Sequence, residues 1–292
     1  MPHILTLVAA RASTTLQPAT IGRVRDVVSG GTPLVLSPGE AVDIPCPRQP
    51  DMHAVRAALG AEAVDAMVMQ NRGRRKGLLI ADMDSTIVTG ETLDELAVIA
   101  GVGERVAEIT KRSMNGEVDF ADALRERVAL LRGLDLAALE QTWTGVQLTP
   151  GAKTLVATMR AHNATTALVS GGFTFFTGRV AELCGFDIHR ANTLEDDGTA
   201  LTGVVGEPIL DRDAKLATLE ELATTRGLRL RSTLAVGDGA NDMAMVMAAG
   251  MGVAYHAKPI VAATARHRVD HADLRALLFA QGYPASAFAE DA

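Results

Sequence analysis

The sequence predicts an α/β fold in two parts, a small α/β sandwich followed by a parallel sheet that carries a long helical insertion. Three observations predict it. Apolar stretches typical of buried strands recur after residue 77, and helical segments separate most of them, as in a parallel sheet covered on both faces. Residues 92–147 have the apolar spacing of amphipathic helices along nearly their whole length. The first 70 residues follow a β-α-β-β-α-β order.

The first unit is predicted over residues 1–70. Alternating apolar residues and turn-forming residues place its strands at 3–8, 33–36, 41–44 and 63–69, and its helices at 21–28 and 52–59. This order is the split βαβ pattern of a small sandwich. The polar residues 71–76 that follow, basic from Arg72 to Lys76, are interpreted as a solvated linker.

The second unit is predicted over residues 77–292. Its strands are expected at 78–82, 166–170, 232–238 and 252–255. The helical insertion, about residues 92–147, comes directly after the first of these strands. We interpret it as a cap over a site at the end of that strand.

Composition excludes several classes of protein. The chain has 292 residues, 48% of them hydrophobic and 22% charged, which is ordinary for a globular protein. A net charge of −7 argues against nucleic acid as a partner. No apolar run approaches the roughly 20 residues of a membrane-spanning helix. Cys46 and Cys184 lack metal-ligand spacing and are interpreted as free thiols of a cytoplasmic protein.

Paired acids end the first strand of the second unit. Asp82 and Asp84 follow an apolar run, within the sequence Asp-Met-Asp-Ser-Thr. Ionised carboxylates at the edge of a core need a cation, a proton or a reaction to compensate them. The carboxyl ends of parallel strands are also where ligands bind in such sheets. Taken alone, the segment fits a site and an Asp-rich turn equally well.

Two further strand ends carry polar groups. Ser170, Gly171 and Gly172 follow one strand and precede a helix, which is typical of an anion site but also of a simple glycine turn capped by Ser170. Asp238 and Asp242 follow another strand, and acids there suit a hard divalent cation, with Asp238 as ligand and Asp242 as support.

Lys215 lies early in a predicted helix, where a lysine is unfavourable against the helix dipole and is usually solvated unless an anion faces it. Together these groups match phosphoryl transfer. Asp82 would attack phosphorus and Asp84 would move the proton, while Asp82 and Asp238 hold Mg²⁺. The phosphate would be bound by Ser170, the amides of Gly171 and Gly172, and Lys215.

In this order, the residues resemble the four motifs of the haloacid dehalogenase-like phosphatases, and the resemblance covers residue 77 to the C-terminus. Glu91, the segment from Met114 to Phe120 and Arg127, and Ser-Gly-Gly-Phe at 170–173 narrow it to the phosphoserine phosphatase branch. The resemblance implies a Rossmann-like sheet under a helical cap and Mg²⁺ as cofactor. More faintly, residues 1–70 resemble an ACT-like domain, with amino-acid sensing as a hypothesis.

The resemblance also implies roles for individual residues. Asp84 would lend Mg²⁺ its backbone carbonyl, and Asn241 and Asp242 would surround the metal. The substrate implied is O-phospho-L-serine, hydrolysed in the last step of serine synthesis. Arg127 would bind its carboxylate and Glu91 its ammonium. Phe120 and Met114 would shield the site from water.

Two other functions stay open at this point. The same residues could pass the phosphoryl group to homoserine, and a non-catalytic amino-acid-binding regulator would place the function in residues 1–70. The sequence leaves the oligomeric state open, with a homodimer as one expectation.

Overall fold

The computed structural model describes residues 2–114 and 117–289, and its first unit is a four-stranded antiparallel sheet. The strand order is β2-β3-β1-β4, and the chain order is β-α-β-β-α-β, as predicted. The strands are β1 (His3–Ala9), β2 (Leu34–Ser37), β3 (Ala41–Cys46) and β4 (Val64–Gln70), and the helices are α1 (Pro18–Val27) and α2 (Met52–Leu59).

The two faces of this small sheet have different partners because side chains alternate along each strand. One face packs Leu5, Leu7 and Ile44 against α1 and α2 in a core of its own. The opposite face carries Val8 and Met67, which belong to the main core of the rest of the chain. The small sheet is therefore covered on both faces.

The second unit contains a six-stranded parallel sheet in the order β12-β11-β10-β5-β6-β7. Its strands are β5 (Leu78–Ala81), β6 (Thr165–Phe173), β7 (Ile188–Asn192), β10 (Thr233–Gly237), β11 (Met251–Tyr255) and β12 (His267–Val269). The α/β class with a parallel sheet is confirmed. The four predicted strands are the central ones, and the edge strands β7 and β12 were not predicted. A short antiparallel hairpin, β8 (Leu194–Asp196) with β9 (Leu201–Val205), was also not predicted.

Helices occupy the long stretch between β5 and β6. Four of them lie within the predicted insertion: α3 (Thr92–Ile99), α4 (Gly103–Met114), α5 (Phe120–Ala129) and α6 (Ala137–Gly145). A fifth, α7 (Ala152–Ala161), also precedes β6. The helices after β6 are α8 (Thr174–Cys184), α9 (Arg212–Thr225), α10 (Met243–Ala248), α11 (Pro259–Thr264) and α12 (Ala276–Ala280). In the described ranges no helix has both the length and the apolar character needed to cross a bilayer.

The segment between the two units differs from the solvated linker that the sequence predicts. Arg74 is buried, and its guanidinium donates to both carboxylate oxygens of Asp43, at 2.6 and 3.0 Å. It also donates to Thr6 Oγ1 and to the carbonyl oxygens of Phe279 and Ala280. A buried guanidinium needs such partners.

Two further buried charges contact the second unit, one from the segment between the units and one from the small sheet. Lys76 donates from Nζ to the carbonyl oxygens of Gly73 and Arg231, at 3.0 and 2.9 Å. Asp65 of the small sheet accepts hydrogen bonds from the backbone N–H groups of residues 270, 271 and 272. Lys76 and Arg231 are 155 positions apart, and Asp65 is at least 205 positions from its partners, so the pattern of neighbouring residues could not reveal these contacts.

Candidate active site

The parallel register of three strands brings the predicted residues together. Ala81 of β5 lies beside Val236 of β10 and Leu168 of β6. The residues that follow each of these positions therefore meet at one edge of the sheet. Asp82 is buried there, and its backbone N–H donates to the carbonyl of Val236 at 3.0 Å.

Asp82 is held by two contacts to one of its oxygens. Its Oδ1 accepts a hydrogen bond from the Met83 N–H at 2.8 Å and lies 2.7 Å from Lys215 Nζ. Neither contact uses Oδ2. The carboxylate is thus fixed in orientation through Oδ1, and among the residues that the structure describes Oδ2 accepts no hydrogen bond.

Lys215 is buried, in contrast to the solvated lysine that its position alone would suggest. It lies in the first turn of α9, and its Nζ is 2.7 Å from both Asp82 Oδ1 and Asp242 Oδ1. Burial opposes its charge, but the carboxylates of Asp242 and Asp82 outweigh this and hold the pKa of Lys215 above its usual value. A lysine early in a helix needs an anion facing it, and these two carboxylates provide it.

Asp84 lies in an irregular turn formed by Met83–Ile87. Its Oδ1 accepts a hydrogen bond from the Thr92 N–H at 2.9 Å, and its Oδ2 accepts one from Ser170 Oγ at 3.4 Å. Burial, together with the negative charges of Glu91 and Asp82, raises the pKa of Asp84 to about 7. A carboxyl group with this pKa exchanges protons readily near neutral pH.

Asp238 and Asp242 follow β10, and both are buried. Burial and the charge of Asp82 raise the pKa of Asp238 to about 6 and that of Asp242 to about 7, while Lys215 acts in the opposite direction. Carboxylate oxygens of Asp82, Asp238 and Asp242 lie within 4.8 Å of one another. Three oxygen donors this close suit a hard divalent cation.

The two oxygens of Asp242 are already engaged. Oδ1 pairs with Lys215, and Oδ2 accepts a hydrogen bond from the Gly239 N–H at 3.1 Å. The structure therefore leaves Asp82 and Asp238 as the better placed ligands and gives Asp242 a supporting position. Asn241 lines the cavity beside them, in the turn that precedes α10.

Ser170, Gly171 and Gly172 lie within β6 rather than in a loop after it, because the strand continues to Phe173. The Gly172 N–H donates to Ser170 Oγ at 2.9 Å, so this amide has a partner inside the protein. A Cβ atom at Gly172 would lie 2.9 Å from Asp84 Oδ2, which explains why glycine is needed for this close approach.

A cavity of about 430 Å³ joins this edge of the sheet to the inserted helices. Glu91, at the start of α3, lines it and accepts a hydrogen bond from Ser85 Oγ at 2.7 Å. Burial raises the pKa of Glu91, and the positive charge of Lys258 acts against this. Arg127 of α5 lines the same cavity, where burial lowers its pKa while Asp94 and Glu91 counteract that effect.

Of the two apolar side chains predicted to shield the site, the structure describes one. Phe120, the first residue of α5, lines the cavity, and a Cβ atom at Gly171 would lie 3.1 Å from its ring. Met114 ends α4, and its side chain lies outside what the structure describes.

Sequence reasoning missed several residues that line the cavity, among them Asp94, Thr110 and Lys258. Asp94 lies three residues after Glu91 on α3, so helical spacing could have placed it on the same face. Lys258 follows β11 at the carboxyl edge of the sheet, where the other site residues lie. The rule that selected Asp82 and Asp238 would also have selected it.

Comparison with known proteins gives a consistent set of relatives. Residues 77–250 match the family model of the haloacid dehalogenase-like hydrolases. A phosphoserine phosphatase of Streptococcus thermophilus is 45% identical over 199 residues, which cover 68% of this chain and 93% of the relative. A phosphoserine phosphatase of Archaeoglobus fulgidus is 44% identical over 188 residues, covering 64% of this chain and only 55% of the relative's length.

A solved structure extends the similarity to nearly the whole chain. The unliganded form of a probable phosphoserine phosphatase from Vibrio cholerae superposes with a TM-score of 0.81 at 33% identity. The superposition covers 98% of this chain and 88% of that one, so it includes both units described above.

Proposed function

The chain belongs to the haloacid dehalogenase-like hydrolases, and from this premise we propose that it hydrolyses O-phospho-L-serine to L-serine and phosphate. The reaction would proceed through an aspartyl-phosphate on Asp82 with Mg²⁺ as cofactor, and would complete the synthesis of serine. The relatives named above as phosphoserine phosphatases support this choice.

One observation carries the choice of substrate. Glu91 and Arg127 line the same cavity as Asp82 and Asp84. Phosphoserine has a carboxylate and an ammonium besides its phosphate, and this cavity offers a carboxylate and a guanidinium beside the reacting acids. Arg127 can bind the substrate carboxylate through two parallel N–H donors, and Glu91 can pair with the ammonium.

Asp82 and Asp84, at the edge of the sheet, have different roles in the reaction. The free oxygen of Asp82 attacks phosphorus, and the bond from phosphorus to the serine oxygen breaks. Asp84, with its pKa near 7, gives its proton to the departing oxygen. In the second half Asp84 takes a proton from a water molecule, which attacks phosphorus and releases Asp82.

The phosphate would be held by polar groups around it. Lys215 stays protonated between its two carboxylates and adds positive charge next to Asp82. The nearby hydrogen-bond donors are the hydroxyl of Ser170 and the backbone N–H of Gly171. The Gly172 amide could join them once its bond to Ser170 opens.

For Mg²⁺ we propose Asp82 and Asp238 as side-chain ligands and the backbone carbonyl of Asp84 as a third. Their donors are all oxygen atoms, which Mg²⁺ prefers. When bound, the ion supplies positive charge to the phosphate oxygens. Asn241 and Asp242 would orient this group, and Phe120 would keep water from the cavity.

We also propose the division into residues 1–70, an ACT-like domain, and residues 77–292, the catalytic domain with its cap at about 92–147. The antiparallel order of the small sheet supports the first, and the helices between β5 and β6 support the cap. A cytoplasmic location agrees with two free cysteines. A homodimer stays a prediction.

A phosphate-release screen tests the function. O-phospho-L-serine would be compared with phosphothreonine, phosphoethanolamine, 3-phosphoglycerate and sugar phosphates, each with Mg²⁺ and with EDTA. We expect kcat/KM for phosphoserine to exceed that for phosphoethanolamine, 3-phosphoglycerate and the sugar phosphates by at least about 100-fold, because each of them lacks a group that the site binds. Phosphothreonine keeps all of these groups and adds a methyl, so it measures how much extra volume the site tolerates. A preference for a sugar phosphate, or equal activity in EDTA, would contradict the proposal.

A further inference from the structure

Ser85 has an unusual backbone conformation in the turn after Asp84. Its φ is 53° and its ψ is 7°, in the left-handed region that favours glycine. Its N–H donates to the carbonyl of Gly90 at 3.0 Å, which closes the loop between the two acids and α3. A residue other than glycine is strained in this conformation, so the serine side chain should offer something that glycine cannot.

The Ser85 hydroxyl has a specific partner. It donates to Oε1 of Glu91 at 2.7 Å, a short and well-formed hydrogen bond to a carboxylate. The next residue, Thr92, donates its backbone N–H to Asp84 Oδ1 at 2.9 Å. Asp84 and Ser85 thus contact Thr92 and Glu91 in register, one pair beside the other. Two adjacent hydrogen bonds therefore connect the loop of Asp84 and Ser85 to the start of α3.

We propose that Ser85 is a positioning residue for substrate recognition, whose hydroxyl holds the Glu91 carboxylate in the orientation that binds the substrate ammonium. The inference rests on the proposed function, because it assigns Glu91 to that group. Glycine would satisfy the backbone with less strain but would leave the Glu91 side chain free to rotate at the exposed start of α3.

Two matched variants separate the hydroxyl from the backbone strain. Ser85→Gly removes both, whereas Ser85→Ala removes the hydroxyl and keeps a side chain in the left-handed conformation. The substrates are O-phospho-L-serine and 3-phosphoglycerate, which has a hydroxyl in place of the ammonium. We expect both variants to raise KM for phosphoserine by about 5- to 10-fold, which corresponds to the net effect of losing one ordinary hydrogen bond. The rise for 3-phosphoglycerate should be smaller than 2-fold.

The Tm of each variant provides an independent readout. Ser85→Gly should melt at a higher temperature than Ser85→Ala, because glycine relieves the strain. Their shared change in KM then belongs to the lost hydroxyl and not to a damaged loop. If KM for phosphoserine is unchanged in Ser85→Gly, or rises equally for both substrates, the proposal is wrong.

A double-mutant cycle with Glu91→Gln tests whether the two side chains act together. In the Glu91→Gln background, removing the Ser85 hydroxyl should change KM for phosphoserine by less than 2-fold, because the carboxylate that it positions is gone. Additive losses would show that Ser85 acts elsewhere and would overturn the proposal. The wild-type enzyme is measured in the same series, so a failure of the proposed function appears there as a lack of preference for phosphoserine.

Discussion

Replacing Lys215 by Met should destabilise the protein strongly and in a pH-dependent way. Lys215 Nζ lies 2.7 Å from Asp82 and 2.7 Å from Asp242, and Asp238 belongs to the same group of oxygens. Methionine has a similar volume but no charge, so the variant keeps the packing and leaves buried carboxylates without their cation.

The size of the effect follows from burial. Removing one partner from a buried ion pair costs about 3–5 kcal/mol in the free energy of unfolding. With about 2.1 cal/mol/K of unfolding entropy per residue, a chain of 292 residues has about 0.6 kcal/mol/K, so Tm should fall by about 5–8 °C.

The direction of the pH dependence follows from the raised pKa values. Asp242 has a pKa of about 7 and Asp238 of about 6, against about 3.9 in an unfolded chain. Between pH 4 and pH 7 the folded protein therefore binds more protons than the unfolded protein, and these groups lower the stability as pH rises. In the wild type the charge of Lys215 opposes this effect. The loss of unfolding free energy in Lys215→Met should therefore be largest at pH 8 and smallest at pH 5.

The assay is thermal unfolding in EDTA at several pH values. The double variant Lys215→Met with Asp242→Asn is the matched control, because it removes one of the uncompensated charges. It should be more stable than Lys215→Met alone at pH 8. The reasoning is refuted if Lys215→Met has the same Tm as the wild type at pH 8. It is also refuted if the decrease in Tm of the double variant equals the sum of the decreases in the two single variants.

Three other predictions concern the chemistry directly. Asp82→Asn should lower turnover at least about 10³-fold while the protein still unfolds cooperatively, and wild-type turnover would exclude the covalent mechanism. Arg127→Ala should lower kcat/KM for phosphoserine by about 10- to 100-fold but leave an aryl phosphate nearly unaffected, and equal losses would show that Arg127 does not bind the carboxylate. Calorimetry should show Mg²⁺ binding that weakens as pH falls from 8 to 5, because protons on Asp238 compete with the ion, and Asp238→Asn should abolish most of that binding. Binding that is independent of pH would argue against Asp238 as a ligand.

The central strands could be predicted from sequence because they are buried on both faces. Leu78–Ala81 is apolar throughout, and every residue of it is buried. The edge strand β7 contains His189 and Arg190, and β12 contains His267 and Arg268, so neither has an apolar run. In the described ranges each pairs with a single neighbouring strand, and its composition does not distinguish it from a loop.

The site residues were predictable for a related reason. Asp82, Ser170 and Asp238 each follow an apolar run, so their position in the sheet could be read from local pattern. Asp94 and Lys258 line the same cavity, and the spacing from Glu91 and the position after β11 could have selected them by the same local rules. The burial of Arg74 and Lys215 depends on carboxylates distant in sequence. Only the tertiary structure shows those carboxylates.

Three buried or half-buried cations in this chain can be compared by how many of their donors are used. All three side-chain nitrogen atoms of Arg74 donate hydrogen bonds, to Asp43, Thr6 and two backbone carbonyls, so no nitrogen is left for a ligand. Lys215 binds two carboxylates, one of which is the proposed nucleophile.

Arg127 differs from both. Within the residues that the structure describes, its hydrogen bonds use Nε, to the Ala123 carbonyl, and Nη1, to Thr110 Oγ1 at 3.4 Å. A guanidinium has five N–H donors in a planar fork, so most of them remain for a carboxylate that enters the cavity. The bond from Nε to its own helix also fixes the direction of the fork before the ligand arrives. We therefore infer that Arg74 joins the two units, whereas Arg127 keeps N–H donors for the carboxylate of a substrate.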